Sequence, residues 1–404
     1  MSASAARLRQ AWPGLCGMAA TLTGVGIGRF AYVAILPLLV QQAWCSRSEA
    51  GYLGAANLTG YFLGIGVAAW LSRHYGAGRM VQASMLLCAL SFFSCGWQGG
   101  GLAWFLFWRT VAGACGAVLM VQAPVLILPR TPVARRGRVG GVIFSGVGLG
   151  IVAAATVVPS LVQHGLAATW FTLGGICLLL TIVTWNYWPQ APAQQPAPAA
   201  SADKVRLAWP RFPAPVALLL AAYALNAVGY LPHTLFWADY ITRDLKRPLA
   251  EAGFFWACFG AGAACGPYLT GFIADRIGLT ATLFFAFSLK ALGVALPLFA
   301  DSGAALLVSS VLVGFFSPGI VGAASGYALE IGGAAHHRRY WTAMNFGFSL
   351  AQAAGASAMV WIMGARHSYA LLFVISSAAL AISALCIGAI ALLRQRDARQ
   401  PLEA

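Results

Sequence analysis

Acidic side chains are the scarcest feature of this sequence: ten Asp and Glu among 404 residues, against 25 Lys and Arg. Charged residues of both signs make up 9%, where a water-soluble domain carries roughly 25%. So few charges cannot cover a water-exposed surface. With 60% hydrophobic residues and a mean hydropathy of +0.77, the main solvent of the chain is lipid. No carboxylate falls at the middle of an apolar run: Asp239 and Glu330 lie near ends, Glu49 and Glu251 at entrances. Walker loops, H-E-x-x-H pairs and nucleophile elbows are also missing, which removes support for ATP-driven pumping and for hydrolysis within the membrane. The nine cysteines are scattered without a C-x-x-C pair. They read as small buried hydrophobes rather than as metal ligands or disulfides. No metal and no cofactor is expected.

What is abundant is apolar runs of bilayer length. A span needs ~20 apolar residues, and twelve occur, roughly at 14–40, 49–72, 79–98, 102–128, 139–163, 167–188, 213–240, 250–273, 279–300, 303–329, 341–364 and 368–393. Arg7 and Arg9 resemble a signal n-region, but the run after them is too long for an h-region and leads into further spans, so it is expected to stay uncleaved. The tract 190–201, rich in Pro, Ala and Gln, has nothing to bury and reads as an extended linker. It divides the chain into an N-terminal half, 1–189, a cytoplasmic linker, 190–212, and a C-terminal half, 213–404.

The net charge of +15 is spread over short inter-span loops rather than one face, which suits lipid headgroups and topology, not nucleic acid. With both termini inside, seventeen Lys and Arg fall in cytoplasmic segments and five in outer loops. Both termini are therefore expected in the cytoplasm. The remaining three basic residues, Arg29, Arg109 and Lys290, lie within spans.

The two halves repeat each other. Shifting the chain by 202 residues superimposes Gly278 on Gly76, Glu251 on Glu49, Gly262 on Gly60 and Gly266 on Gly64. A period of half the chain is a duplicated domain, and two helical copies can rock about a central site in a membrane. Start signals fit this frame: Ser46-Arg47-Ser48-Glu49 is a capping box for the second span, and Pro248 stands near the first turn of the eighth.

Gly271-Phe272-Ile273-Ala274-Asp275-Arg276-Ile277-Gly278 resembles the G-x-L-A-D-R-x-G signature of the major facilitator superfamily in its second-half copy. The first-half copy, Ala69-Trp70-Leu71-Ser72-Arg73-His74-Tyr75-Gly76, is degenerate, with Arg73 in place of the aspartate. Arg109-Thr110-Val111-Ala112-Gly113 resembles the R-x-x-x-G signature of the fourth helix, whereas Gly146 to Gly150 lacks the proline of the antiporter signature. Gly26-Ile27-Gly28-Arg29-Phe30-Ala31-Tyr32 with Leu36-Pro37-Leu38 is similar to the first helix of the bacterial YbfB/YjiJ-like branch. The resemblance implies an all-α membrane protein of twelve transmembrane helices in two six-helix pseudo-symmetric halves. It also implies a monomeric secondary transporter of the bacterial inner membrane, working by alternating access with protons as coupling ion.

Arg29 is the sharpest candidate. It lies fifteen residues into the first span, about 22 Å along a helix rising ~1.5 Å per residue. That is too deep to reach water comfortably, so it faces a cavity or a partner. Its fork geometry suits a carboxylate or phosphate; the alternative is an arginine tied to carbonyls of a broken helix. Tyr32 is placed beside it. In the seventh span Tyr223, Asn226 and Tyr230 recur at steps of three and four, hence on one face. Asn345 in the eleventh span, seven residues before Gln352, is a further candidate for the substrate cavity. Arg109 carries either proton coupling or helix packing in the resemblance, and His233 is either a proton relay or a packed histidine. Asp275 and Arg276, with Glu330 as a plausible partner, are expected to act in gating. Lys290 ranks below Arg29, because the repeat places it on a peripheral helix.

These features converge on a carrier of a small organic solute, anionic or zwitterionic. A broad exporter of hydrophobic compounds is the alternative within transport, since aromatics such as Trp104, Phe105, Trp108, Phe254, Phe255 and Trp256 could line a cavity, although they fall near helix ends. A non-transporting receptor or membrane enzyme is the alternative of another class, and the chain offers neither a nucleophile–base set nor a signalling tail.

Overall fold

Helices account for nearly every described residue of the computed structural model, which covers 3–189, 212–366 and 368–399. The expected linker lies almost wholly outside that range. Nine described segments are long and apolar enough to cross a membrane; one of them, Gly303–Arg366, is 64 residues long and turns back at Gly333, where φ is 60°. That segment counts twice, and the first two helices complete twelve passes. The first runs through Ala3–Thr21, a π-helical stretch Leu22–Ala31, and Tyr32–Gln41. The second is Arg47–Tyr75, the third Ala77–Cys95, the fourth Gly101–Ile127, the fifth Arg136–Val162 and the sixth Leu166–Thr184. The seventh opens with Ala214–Gly229, and the eighth and ninth are Leu249–Ile277 and Leu279–Ala295. The tenth and eleventh share Gly303–Arg366, and Tyr369–Arg399 is the twelfth.

The repeat is visible in local geometry. Gly76 and Gly278, 202 residues apart, end the second and eighth helices with φ of 83° and 82°, a backbone that only glycine adopts without strain. Gly60 and Gly64 press on the carbonyls of Thr110 and Ala114, as Gly262 and Gly266 press on those of Val311 and Phe315. A side chain at any of the four would collide with the neighbouring backbone, so each helix pair sits at small-residue distance. The capping box is formed: the Ser46 N–H donates to Glu49 Oε2 (2.7 Å) and the Glu49 N–H to Ser46 Oγ (3.3 Å). Pro248 is the cap residue of the eighth helix.

Three prolines shape the contacts between helices. Proline has no N–H, so the carbonyl four residues earlier loses its helical partner. Pro232 breaks the seventh helix, expected as one run over 213–240, into turns that include the π-helical Pro232–Phe236 and Tyr240–Asp244. The carbonyl it frees, on Val228, accepts from Ser376 Oγ of the twelfth helix at 3.1 Å. Pro124 likewise frees the Met120 carbonyl, which accepts from Trp341 Nε1 of the opposite half at 3.3 Å. Pro267 frees the Ala263 carbonyl, and Gly148 of the fifth helix packs onto it.

The fifth and eighth helices form the principal seam between halves. Gly137 meets the Gly271 carbonyl, Gly141 that of Pro267, and Gly148 that of Ala263. These contacts run from the end of the bundle that carries the chain termini to its middle. Beyond them the seam loosens, and at Gly260 a Cβ would lie 3.2 Å from the Ile151 side chain.

Candidate functional site

At the middle of the bundle the two halves enclose a narrow cavity of ≈ 80 Å³. The N-terminal half contributes Val25, Arg29, Phe30, Tyr61, Met120, Val147 and Ile151. Tyr223, Tyr230, Thr234 and Phe259 face them from the seventh and eighth helices, with Ser317, Pro318 and Val321 from the tenth and Asn345, Phe348 and Gln352 from the eleventh.

Arg29 reaches this cavity because of the π-helical stretch of the first helix, where wide turns reset the helical phase. Gly24 and Gly26 let that stretch lie against Leu119 and Gly116 of the fourth helix and Gly146 and Gly150 of the fifth. The Arg29 side chain is half-buried. It makes no hydrogen bond or ion pair with any described residue and lies over the face of Phe30, 5.6 Å from the ring centroid. It is also the sole charged residue among the described lining.

Arg109 is held quite differently. It is 2% exposed, donates from Nη1 to the Gly28 carbonyl at 3.0 Å, and lies over the Tyr32 ring at 4.3 Å. Asn57 Nδ2 in turn donates to the Arg109 carbonyl at 3.2 Å. The guanidinium thus braces the π-helical stretch from behind. The carbonyl-bonded role weighed for Arg29 is filled by Arg109, and Tyr32 lies under that guanidinium rather than in the cavity lining.

Of the seventh-helix candidates, Tyr223 and Tyr230 line the cavity and Asn226 does not. Asn226 Oδ1 accepts from Lys290 Nζ at 2.9 Å, and the same Nζ lies 4.8 Å from the centre of the Tyr230 ring. Lys290, fully buried, therefore sits directly behind a cavity residue. His233 is also buried away from the cavity, stacked on Trp237 with ring centroids 4.2 Å apart. Its Nε2 lies 2.8 Å from Ser309 Oγ, whose own hydroxyl donates to the Gly293 carbonyl at 2.6 Å. Ser309 must then accept, which assigns the proton of His233 to Nε2 and leaves Nδ1 without a partner.

Asn345 lines the cavity and donates from Nδ2 to the Trp341 carbonyl at 2.9 Å. Trp341, one turn nearer the chain termini, closes the floor: its ring lies 5.5 Å from Tyr223 and 6.0 Å from Phe144 of the other half. Tyr61, Phe348 and Trp341 are site residues for which the sequence carries no local signal. Trp104, Phe105, Trp108, Phe254, Phe255 and Trp256 are not among the lining residues.

Asp275 closes the seam at the terminal end. Its carboxylate accepts from the Gly137 N–H (2.8 Å), the Arg138 N–H (3.1 Å) and Arg138 Nε (2.9 Å), so it caps the fifth helix of the opposite half. Helix N-termini favour anions at such positions. Arg276 lies over Phe272 at 4.2 Å, within its own half. Glu330 does not join this loop: the last turns of the twelfth helix bring Arg394 Nη1 to 2.6 Å from it. Arg73, at the degenerate first-half copy, lies outside the described side chains. We predict that Asp275→Asn lowers maximal transport rate more than tenfold while changing apparent affinity less than about threefold, because hydrogen bonds to a charged group are worth roughly 1.5–3 kcal/mol and these join the halves only when the terminal end is closed. Initial-rate kinetics in proteoliposomes reads both quantities.

Twelve helices in two pseudo-symmetric halves around a central cavity define a multi-pass membrane carrier of the major facilitator type. Residues 21–388 match the family described as "Uncharacterised MFS-type transporter YbfB", and the chain belongs to that family, one of transporters and not of enzymes. It is similar to the uncharacterised MFS-type transporter YceJ of Bacillus subtilis, at 24% identity over 74% of this chain and 75% of that one. A stretch covering 32% of the chain is 27% identical to the probable anion transporter 6 of Arabidopsis thaliana, a quarter (25%) of whose length it spans. In fold it resembles the Escherichia coli fucose:proton symporter FucP, at 13% identity over 93% of this chain and 98% of that one, with a TM-score of 0.74 for the outward conformation.

Proposed function

We propose that this protein is a secondary carrier of a small organic anion across the bacterial inner membrane, working by alternating access. The observation that carries the reading is the Arg29 guanidinium in the cavity between the halves, with no hydrogen-bond or ion-pair partner among the described residues. An unpartnered charge at this depth is costly, and a ligand that supplies the counter-charge removes the cost. A carboxylate or phosphate matches its paired N–H groups. The partial similarity to a probable anion transporter points the same way. The excess of basic residues on one side puts both termini in the cytoplasm, and with that orientation the Asp275 cap and Trp341 close the cytoplasmic face. The two halves, 1–189 and 213–404, rock about the cavity as a monomer, and protons are the coupling ion.

A thermal-stability screen of the purified protein against small anions, zwitterions and lipophilic cations tests this, with Arg29→Ala in parallel. A ligand that binds the folded state raises the melting temperature by mass action. The expected result is stabilisation by an anion, with affinity about a hundredfold weaker in Arg29→Ala, the scale for losing one partner of a buried charge pair. The cavity lining is largely aromatic and apolar, so stabilisation by lipophilic cations that is unchanged in Arg29→Ala would instead make the protein a broad exporter. Proton coupling is checked separately, by uptake with the pH gradient and the voltage clamped in turn.

A further inference from the structure

The donor and acceptor inventory around Arg29 narrows the anion further. No Asp, Glu or His accompanies it among the described lining residues, so the cavity offers one positive charge and no negative one. The tyrosine hydroxyls add donors. Tyr230 Oη accepts from Gln352 Nε2 at 2.6 Å, which leaves its own proton free to donate. Tyr61 and Tyr223 make no hydrogen bond with a described residue, so their protons are equally available. A carboxylate thus meets a guanidinium and phenol groups. The ammonium of an amino acid would find no carboxylate among the described lining and would stand beside the Arg29 cation, and a second carboxylate would lack a second cation.

The rest of the lining is flat and apolar. Six aromatic rings face the cavity: Phe30, Tyr61, Tyr223, Tyr230, Phe259 and Phe348. Phe348 is central, with its ring 5.0 Å from Tyr223 and 6.1 Å, nearly parallel, from Tyr230. At ≈ 80 Å³ the cavity is smaller than the ~300 Å³ and above usual for a ligand site, so it must widen to be filled. A planar ring sliding beside Phe348 demands less displacement than a branched or polyhydroxylated solute. It also gains from ring-on-ring contact.

We infer that the substrate is an aromatic monocarboxylate: a single carboxylate on Arg29 and an aryl ring against Phe348. This rests on the reading of the cavity as an anion site. The test is equilibrium binding of radiolabelled benzoate to the purified full-length protein. Competitors are butyrate and cyclohexanecarboxylate (non-aromatic monoanions), phenylalanine (zwitterion), phthalate (dianion) and benzamide (neutral ring), and Arg29→Ala and Phe348→Leu are measured alongside. Benzoate is expected to bind, to be displaced weakly by every competitor, and to lose about a hundredfold in affinity in Arg29→Ala. Phe348→Leu should weaken benzoate by about three- to tenfold, the scale of one aromatic pair, and leave butyrate unchanged. If butyrate or phenylalanine competes as well as unlabelled benzoate, and does so only with Arg29 present, the aromatic monoanion is overturned while the anion site stands. Failure of benzoate to bind at millimolar concentration also overturns the inference. If benzoate binds equally well to Arg29→Ala, the anion reading itself fails.

Discussion

Valine at position 148 will force the two halves apart at their seam and hold the carrier open toward the side of its chain termini. Gly148 lies against the Ala263 carbonyl, an oxygen freed by Pro267, and any Cβ there would overlap backbone atoms that no rotamer change can move. The same holds for Gly141 against the Pro267 carbonyl. Overpacking typically costs about 1–3 kcal/mol per site, and the bundle can escape it by adopting the state in which the fifth and eighth helices separate at this end. About 5.5 kcal/mol takes a two-state equilibrium from 1:99 to 99:1, so the double variant Gly141→Val, Gly148→Val should approach complete trapping. A reporter cysteine at Ser317, within the cavity, reads the outcome through membrane-impermeant labelling. Labelling should rise from the terminal side and fall from the opposite side, with transport reduced more than tenfold in a protein that still purifies folded. Gly260→Ala, where the Cβ would stand 3.2 Å from a side chain that can yield, serves as the tolerated control. Unchanged labelling and transport in the double variant would mean that the seam does not move.

The architecture was legible in the sequence because its signals are local or periodic. Apolar runs of bilayer length gave the twelve passes, and the 202-residue offset gave the two halves, down to the matching positive-φ glycines Gly76 and Gly278. The site was legible only in part. Tyr223 and Tyr230 are seven residues apart and keep one face in a regular helix; Asn226 falls at the edge of that stripe and is taken by Lys290, 64 residues further on. Tyr32 follows Arg29 by three positions, but the π-helical turns between Leu22 and Ala31 rotate it onto Arg109. Arg29 and Arg109 are the same residue type at similar depth, and what separates them is which carbonyl the first helix leaves free. The Glu330–Arg394 pair spans 64 residues and carries no sequence spacing that would reveal it. Pro124 and Pro267 are signs the expectations did not use: each, like Pro232, frees a carbonyl that a neighbouring helix then bonds to or packs against.

Removing Asn226 should damage the protein more than removing the lysine it serves. Lys290 is fully buried, its Nζ donating to Asn226 Oδ1 and facing the Tyr230 ring. In Asn226→Leu the amine loses its hydrogen-bond partner and stays buried, and an unsatisfied buried amine costs more than the roughly 1–3 kcal/mol of a neutral polar group. Lys290→Met deletes the amine instead and leaves only a neutral amide underused, a loss of about 1–3 kcal/mol. The double variant Asn226→Leu, Lys290→Met removes both polar groups and fills their space with apolar atoms, and such replacements are often neutral or stabilising. The expected order of melting temperatures in detergent is therefore Asn226→Leu lowest, Lys290→Met intermediate and the double variant highest of the three, so the two changes couple rather than add. Simple additivity would show that the 2.9 Å contact contributes nothing to the fold. Because Tyr230 joins this pair to the cavity, the cycle also separates support from transport: a double variant that is stable yet transports poorly would assign the Asn226–Lys290 pair to the work of the carrier rather than to its folding.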